Sequence, residues 1–149
     1  MKLEGFQWAT SLDLNMGYYH IELNPDAKKL CTIVIPWGKY EYQRLPMGLC
    51  NSPDIFQEHM SALFFDLEFV RAYIDDLLIF TTGSYEDHLR KVAKILTRLE
   101  EAGLKVNAGK SFFAKPELEY LGYWITRQGI QPLPHKVEAI KNLAPPKNR

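Results

Sequence analysis

The chain has 149 residues, 46% of them apolar, so it can bury one core and is neither a disordered tail nor an assembly of several domains. Lys and Arg balance Asp and Glu at 18 each, which argues against a stand-alone nucleic-acid clamp. Cys31 and Cys50 make no disulfide framework and stand in no metal-ligand spacing, and no apolar run reaches the roughly 18 residues of a membrane span, so an intracellular, reducing setting without membrane contact fits.

The elements follow in order. A strand-like run ends at Thr10-Ser11-Leu12-Asp13-Leu14, with Gly17-Tyr18-Tyr19-His20 directly after it. Leu30–Ile35 is β-branched and stops at Pro36; Trp37-Gly38-Lys39 turns, and Tyr40–Gln43 alternates as a partner strand. Asn51-Ser52-Pro53 offers a capping residue and a helix-starting proline, and Ile55, Phe56, His59, Met60 and Leu63 recur at helical spacing. A hairpin is predicted over 69–80. Ser84 to Asp87 resembles a capping box, Leu89, Val92, Leu96 and Leu99 form the stripe of the next helix, and Gly103 closes it. Arg90, Lys91, Lys94 and Arg98 read as the solvated side of that helix. Leu104–Val106, Phe112-Phe113 and Glu119–Ile125 are strand-like, and Val137, Ile140 and Leu143 give a short helical pattern in a proline-rich tail. The fold class this implies is α+β: an antiparallel sheet with helices packed on one face.

The chemistry lies in Tyr73-Ile74-Asp75-Asp76, two acids inside an apolar strand context. Carboxylates in apolar surroundings are costly and tend to protonate, and a divalent cation that shares them with phosphates removes the cost. A plain hairpin with a solvated Asp-Asp turn is the other reading. Asp13, near the end of a separate strand-like run, supplies a third acid. Two-metal phosphoryl transfer needs carboxylates converging from separate strands, with ions roughly 3.5–4 Å apart. Charge is uneven along the chain: residues 1–75 carry 6 Lys and Arg against 10 Asp and Glu, and residues 76–149 carry 12 against 8. An acidic half holding the candidate ligands beside a basic half suits polynucleotide chemistry. The four histidines, His20, His59, His88 and His135, read as exposed or satisfied singles.

Five blocks in this order resemble the palm of a reverse transcriptase, an RNA-directed DNA polymerase, of the gypsy-type LTR retrotransposon polyproteins, with retroviral enzymes further off. They are Ser-Leu-Asp-Leu with Gly-Tyr-Tyr-His-Ile, Leu-Pro-Met-Gly-Leu-Cys-Asn-Ser-Pro-Asp-Ile-Phe-Gln, Tyr-Ile-Asp-Asp, Leu-Lys-Val-Asn-Ala-Gly-Lys-Ser-Phe-Phe and Leu-Glu-Tyr-Leu-Gly-Tyr. The resemblance runs from Phe6 to about Asn148. It implies a palm over residues 1–127 that includes a partial fingers hairpin at about 28–50, with 128–149 opening the thumb or connection. It implies that Asp13 and Asp75 bind two Mg²⁺ ions, with Mn²⁺ a possible substitute, and that Asp76 lies beside them. It makes Lys110 the proton donor to pyrophosphate. It assigns Leu14, Tyr18, Met47, Gly48 and Ile74 to the incoming dNTP, with Tyr18 excluding a 2′-hydroxyl. It assigns Pro46, Gln57, Tyr73, Leu121, Gly122 and Tyr123 to the RNA/DNA primer–template. Met47 stands where retroviral enzymes often have Gln.

The resemblance also implies fingers, thumb and ribonuclease H parts of the same polyprotein that this sequence lacks, so the isolated chain is expected to be a fragment with little polymerase activity, acting in a cytoplasmic particle or the nucleus. The alternative is an inactive transposon-derived remnant that binds nucleic acid or protein. Nucleotide cyclisation on a palm is a further possibility, against which the sequence lacks a Gly-Gly-Asp-Glu-Phe-like turn.

Overall fold

The computed structural model describes residues 5–142. β1 (Trp8–Asn15) is buried from Ala9 to Leu12 and runs through the middle of the main sheet. A 3₁₀ turn at Gly17–His20 follows, entered through Met16 in the left-handed region. α1 (Pro25–Leu30) adds to the expected elements. Asn24 caps it by accepting from the Ala27 N–H at 2.8 Å, but none of its residues is buried, so it has no apolar stripe to read. β2 (Thr32–Ile35) and β3 (Gly38–Glu41) form the expected hairpin as a separate two-stranded ribbon.

α2 (Ser52–Phe64) starts one residue before Pro53. Asn51 makes no side-chain cap; the Ser52 hydroxyl instead donates to the Pro46 carbonyl at 2.7 Å. β4 (Val70–Tyr73) and β5 (Asp76–Thr81) form the predicted hairpin. α3 (Tyr85–Glu101) is capped by Ser84, which accepts from the Asp87 N–H at 3.3 Å. It ends at Gly103 (φ 73), where the Leu104 N–H returns to the Leu99 carbonyl at 2.8 Å.

β6 (Lys105–Lys115) crosses back beside β1. The single run expected over 119–125 is broken into β7 (Leu118–Tyr120) and β8 (Tyr123–Thr126). Leu121 (φ 50) and Gly122 (φ 76) both take the positive φ that a two-residue hairpin turn of type I′ requires. β9 (Gly129–Pro132) pairs with β8, so the expected boundary between 127 and 128 falls inside a hairpin. α4 (Pro134–Lys141) covers Val137 and Ile140; Leu143 lies outside the described residues.

The main sheet has the order β4-β5-β1-β6 and is antiparallel throughout. Period-two alternation divides its side chains between two faces. Leu12, Leu14, Leu77 and Ile79 meet the helices, packing with Phe56, Met60 and Phe64 of α2 and Val92, Ile95 and Leu99 of α3. Ala9, Leu78 and Phe80 face the other way, under Leu118, Tyr120 and Ile125 of the three-stranded sheet. Each fully buried Leu, Ile or Phe contributes about 1.5–3 kcal/mol, so these two layers hold the carboxylate-bearing strands in place.

The expected helix stripes are out of phase. Phe56 and Val92 are buried as predicted, but Ile55, Leu89 and Leu96 are 42%, 43% and 37% exposed. The buried lines are Ser52-Phe56-Met60-Phe64 and His88-Val92-Ile95-Leu99, narrower than the apolar pattern in the sequence. His88 enters the core because Thr10 and Thr81 hydrogen-bond its two ring nitrogens at 2.8 and 2.9 Å. Arg98 is not on a solvated face: it donates to the Leu63 carbonyl at 2.9 Å and to both carboxylate oxygens of Asp66, tying α3 to the end of α2.

Candidate active site

Asp13 on β1 stands directly opposite Asp76 on β5 in the antiparallel register. Asp75 is the second of the two residues that turn β4 into β5, and the Leu14 N–H donates to its carbonyl at 2.8 Å. One end of the central β1–β5 pair thus brings together three acids from two distant parts of the sequence. Their electrostatics reflect the crowding. Burial, then the charges of Asp13 and Asp76, hold the Asp75 carboxyl above the usual carboxylate range. Burial and the Asp13 charge raise Asp76 as well, against a lowering pull from Lys110.

Asp75 Oδ1 is buried and, among the described residues, accepts no hydrogen bond. It lies against Gly17 so closely that a Cβ at that position would overlap it and the Phe56 ring. Among the described residues no three His, Cys, Asp or Glu side chains form an all-protein cage for an ion. Mg²⁺ in phosphoryl-transfer sites does not ask for one, since it takes one or two carboxylates and fills its remaining positions with water and substrate phosphates. An unpartnered buried carboxylate oxygen beside two further acids fits a divalent cation on these terms.

β6 shapes the approach to Asp13. Between Ser11↔Phe112 and Asp13↔Asn107, two steps along β1 are matched by five along β6, so β6 bulges outward. The bulge lets the Ser111 hydroxyl accept from the Asp13 N–H at 3.2 Å while donating to the Asn107 carbonyl at 2.7 Å. It also brings the exposed Lys110 ammonium to 4.0 Å from Asp13 Oδ2. A cleft of about 610 Å³ opens beside it, lined by Asp13, Asp76 and Lys110 on one side and Tyr120, Leu121 and Gly122 on the other. The Tyr120 hydroxyl donates to the Asp76 carbonyl at 3.2 Å; burial and the Asp76 charge push its own ionisation well above the usual tyrosine range.

The other expected site residues divide by placement. Tyr18 is half-buried and packs on Phe56, ring centroids 5.2 Å apart, on the helix side of the turn rather than over the Asp13–Asp76 face. Burial and the Asp75 charge raise its pKa, which marks its nearness to that acid. Leu14 turns its side chain into the helix-side core, so it meets the site through its backbone alone. Ile74 packs on the same core, with φ 51. Pro46 is buried under the start of α2, and Met47, Gly48, Tyr73 and Tyr123 are exposed.

Gln57 departs most from expectation. Its amide is spent on protein groups, bonding the Ser61 hydroxyl, the Ala72 carbonyl and the Ile74 N–H. Gly17, Ser111 and Tyr120 were not among the expected site residues. All three lie inside the recognisable blocks, but nothing in the sequence singles them out there, because their contacts depend on how the strands align.

The chain belongs to the family described as reverse transcriptase (RNA-dependent DNA polymerase), whose profile matches residues 1–125. It is 40% identical over 142 residues to the enzymatic polyprotein of soybean chlorotic mottle virus, covering 93% of this chain and 20% of that protein. It is 37% identical over 141 residues to the retrovirus-related Pol polyprotein from transposon 297 of Drosophila melanogaster, covering 93% of this chain and 13% of that one. Its fold superposes on the foamy viral protease-reverse transcriptase, solved in complex with an RNA/DNA hybrid, with a TM-score of 0.87 and 26% identity over 97% of this chain and 20% of the other. The chain therefore spans a fifth or less of the length of these relatives. The α+β palm fold read from the sequence is the fold of this family. No helix among the described residues is long and apolar enough to cross a membrane.

Proposed function

We propose that this domain, within a longer polyprotein, adds deoxynucleotides to a primer 3′-hydroxyl under the direction of an RNA template. The observation that carries this is the Asp13–Asp76 register pair, which lines a cleft, with Asp75 in the adjoining turn near enough to feel both charges. Asp13 and Asp75 would hold two Mg²⁺ ions, or Mn²⁺ in their place, with Asp76 beside them. Bound there, the ions would supply the acidity that ionises the primer hydroxyl and the positive charge that offsets the triphosphate. Lys110 would meet a departing pyrophosphate and give it a proton, a role its exposure and its nearness to Asp13 support.

Leu121 and Gly122, on the turn that lines the cleft with Asp13, and Tyr123, the first residue of β8, would steady the primer strand. Tyr18, stiffened by Phe56 beneath it, would lie under the incoming sugar and bar a 2′-hydroxyl. Exposed Met47 and Gly48 would contact the nucleotide, and Tyr73 the primer end. On this reading residues 1–127 are palm with a short fingers ribbon, and 128–149 lead into the thumb. The RNA/DNA hybrid bound by the foamy viral relative supports a primer–template as partner. An inactive remnant is not favoured, since it has no need to keep three acids in this strained arrangement.

The test is primer extension by the soybean chlorotic mottle virus polyprotein with this chain in place of its matching segment. Mg²⁺-dependent extension of a DNA primer on an RNA template is expected. A folded graft that binds primer–template and adds no nucleotide would refute the proposal.

A further inference from the structure

β4 lies at one end of the main sheet, so among the described residues no strand pairs with its outer edge. Gln57, on α2, reaches that edge. Its Nε2 donates to the Ala72 carbonyl at 3.1 Å, and its Oε1 accepts from the Ile74 N–H at 2.7 Å. The amide spans Tyr73 and bonds the backbone on either side of it, as a residue of a neighbouring strand would. Nε2 also donates to the Ser61 hydroxyl at 3.1 Å, one helical turn along α2. Both amide hydrogens are thereby committed, and none is left for a template or primer.

The residue held this way is under strain. Ile74 has φ 51, a left-handed value that a β-branched side chain rarely adopts. Strain of that kind persists only where the surroundings over-determine it. Here the surroundings are Gln57 on one side and, on the other, the Leu14 N–H on the Asp75 carbonyl and the Tyr120 hydroxyl on the Asp76 carbonyl. Ile74 immediately precedes Asp75, so its dihedrals set the direction in which that carboxylate leaves the turn.

We propose that Gln57 is a positioning residue for the carboxylates: it locks the 73–76 turn in its left-handed conformation and so aims Asp75, and it makes no contact with nucleic acid. The proposal rests on the reading of Asp75 as a metal ligand. It also explains the residue type. One planar amide offers a donor and an acceptor at a length matched to two backbone groups; a glutamate offers acceptors alone, and an asparagine falls one methylene short.

The test uses the purified chain with Gln57→Met, which keeps length and packing, and Gln57→Glu, which keeps the acceptor for Ile74. Amide hydrogen exchange followed by NMR is expected to show the Ile74 N–H exchanging about tenfold faster in Gln57→Met, the loss of one hydrogen bond. Exchange within α2 and at Leu77 and Ile79 should be unchanged, and Gln57→Glu should retain part of the Ile74 protection. Mn²⁺ titration followed by electron paramagnetic resonance should show binding weakened by about tenfold or more in Gln57→Met, the usual effect of losing a group that orients a ligand.

Unchanged Ile74 protection in Gln57→Met would overturn the proposal. So would weaker primer–template binding with unaltered Mn²⁺ affinity, which would return Gln57 to the nucleic-acid surface. If the wild-type chain bound no Mn²⁺, the metal reading itself would fall. Ile74 exchange would then decide the lock alone, its acceleration upholding it and its persistence overturning it.

Discussion

Gly17 offers a sharp test of how tightly the turn is packed. It is buried at the start of the 3₁₀ turn, and its φ is not left-handed, so an alanine there meets no backbone penalty. What it meets is atoms. A Cβ would overlap Asp75 Oδ1 and Phe56 Cζ and lie 2.9 Å from Phe56 Cε1. Phe56 is fully buried and wedged against Tyr18, so the ring has little room to retreat. Overpacking of this kind costs about 1–3 kcal/mol. The stiffer unfolded chain of an alanine variant offsets about 0.4–1 kcal/mol of that, leaving a net loss centred on roughly 1.3 kcal/mol and at most about 2.6. At about 2–4 °C per kcal/mol for a domain of this size, that central loss lowers Tm by about 3–5 °C.

Gly109→Ala is the matched control: its φ is not left-handed either, and its Cβ would meet only Asn107 Oδ1, at 3.5 Å. That variant should stay within about 0.5 kcal/mol of wild type. Thermal unfolding followed by circular dichroism in metal-free buffer reads both. Equal Tm values for Gly17→Ala and Gly109→Ala would refute the packing argument.

Asp75→Asn should raise Tm in metal-free buffer at neutral pH. Burial and the charges of Asp13 and Asp76 raise the folded carboxyl above 3.8, so its contribution to stability is full below about that pH and is lost as pH rises through the folded value; an Asp75→Asn protein no more stable than wild type at pH 7 would contradict this. His88 works in the opposite sense. Burial lowers its pKa below 6.5, so the folded state is favoured above about pH 6.5 and loses that advantage as the unfolded chain takes up a proton at lower pH. His88→Leu should therefore flatten the stability profile below about pH 6.5 while lowering stability at pH 7, because Thr10 and Thr81 lose a partner; urea unfolding at neutral and mildly acidic pH checks both. Tyr18→Ala should relax discrimination against ribonucleotides by roughly tenfold or more in single-nucleotide addition, and unchanged selectivity would remove Tyr18 from the sugar site.

The strands and the second long helix were legible because their signals are local. Apolar runs rich in Val, Ile, Phe and Tyr marked the 69–80 hairpin, and Ser84 and Gly103 marked the ends of α3. α1 was missed because a short exposed helix buries nothing, although Asn24-Pro25 is a helix start in plain view. The helix stripes slipped in phase because the sequence does not say which of two neighbouring apolar residues a flat sheet will cover, so Ile55, Leu89 and Leu96 read as core. The break at Leu121-Gly122 was hidden because leucine is no turn signal, and the β6 bulge that brings Ser111 to Asp13 has no signature in alternation.

At the site, the acids announced themselves by their apolar context. Their partners did not. Gln57 sits within a recognisable block, which suggested a nucleic-acid role; only the edge position of β4 shows that the backbone of 72–74 claims its amide.

The central claim, that these aspartates carry metal-dependent nucleotide addition, is tested most directly by single-turnover primer extension on an RNA template with Asp75→Asn in the grafted polyprotein. The rate of addition should fall by about a hundredfold or more, with primer–template affinity unchanged and the protein at least as heat-stable without metal. A rate within a few fold of wild type would contradict the account.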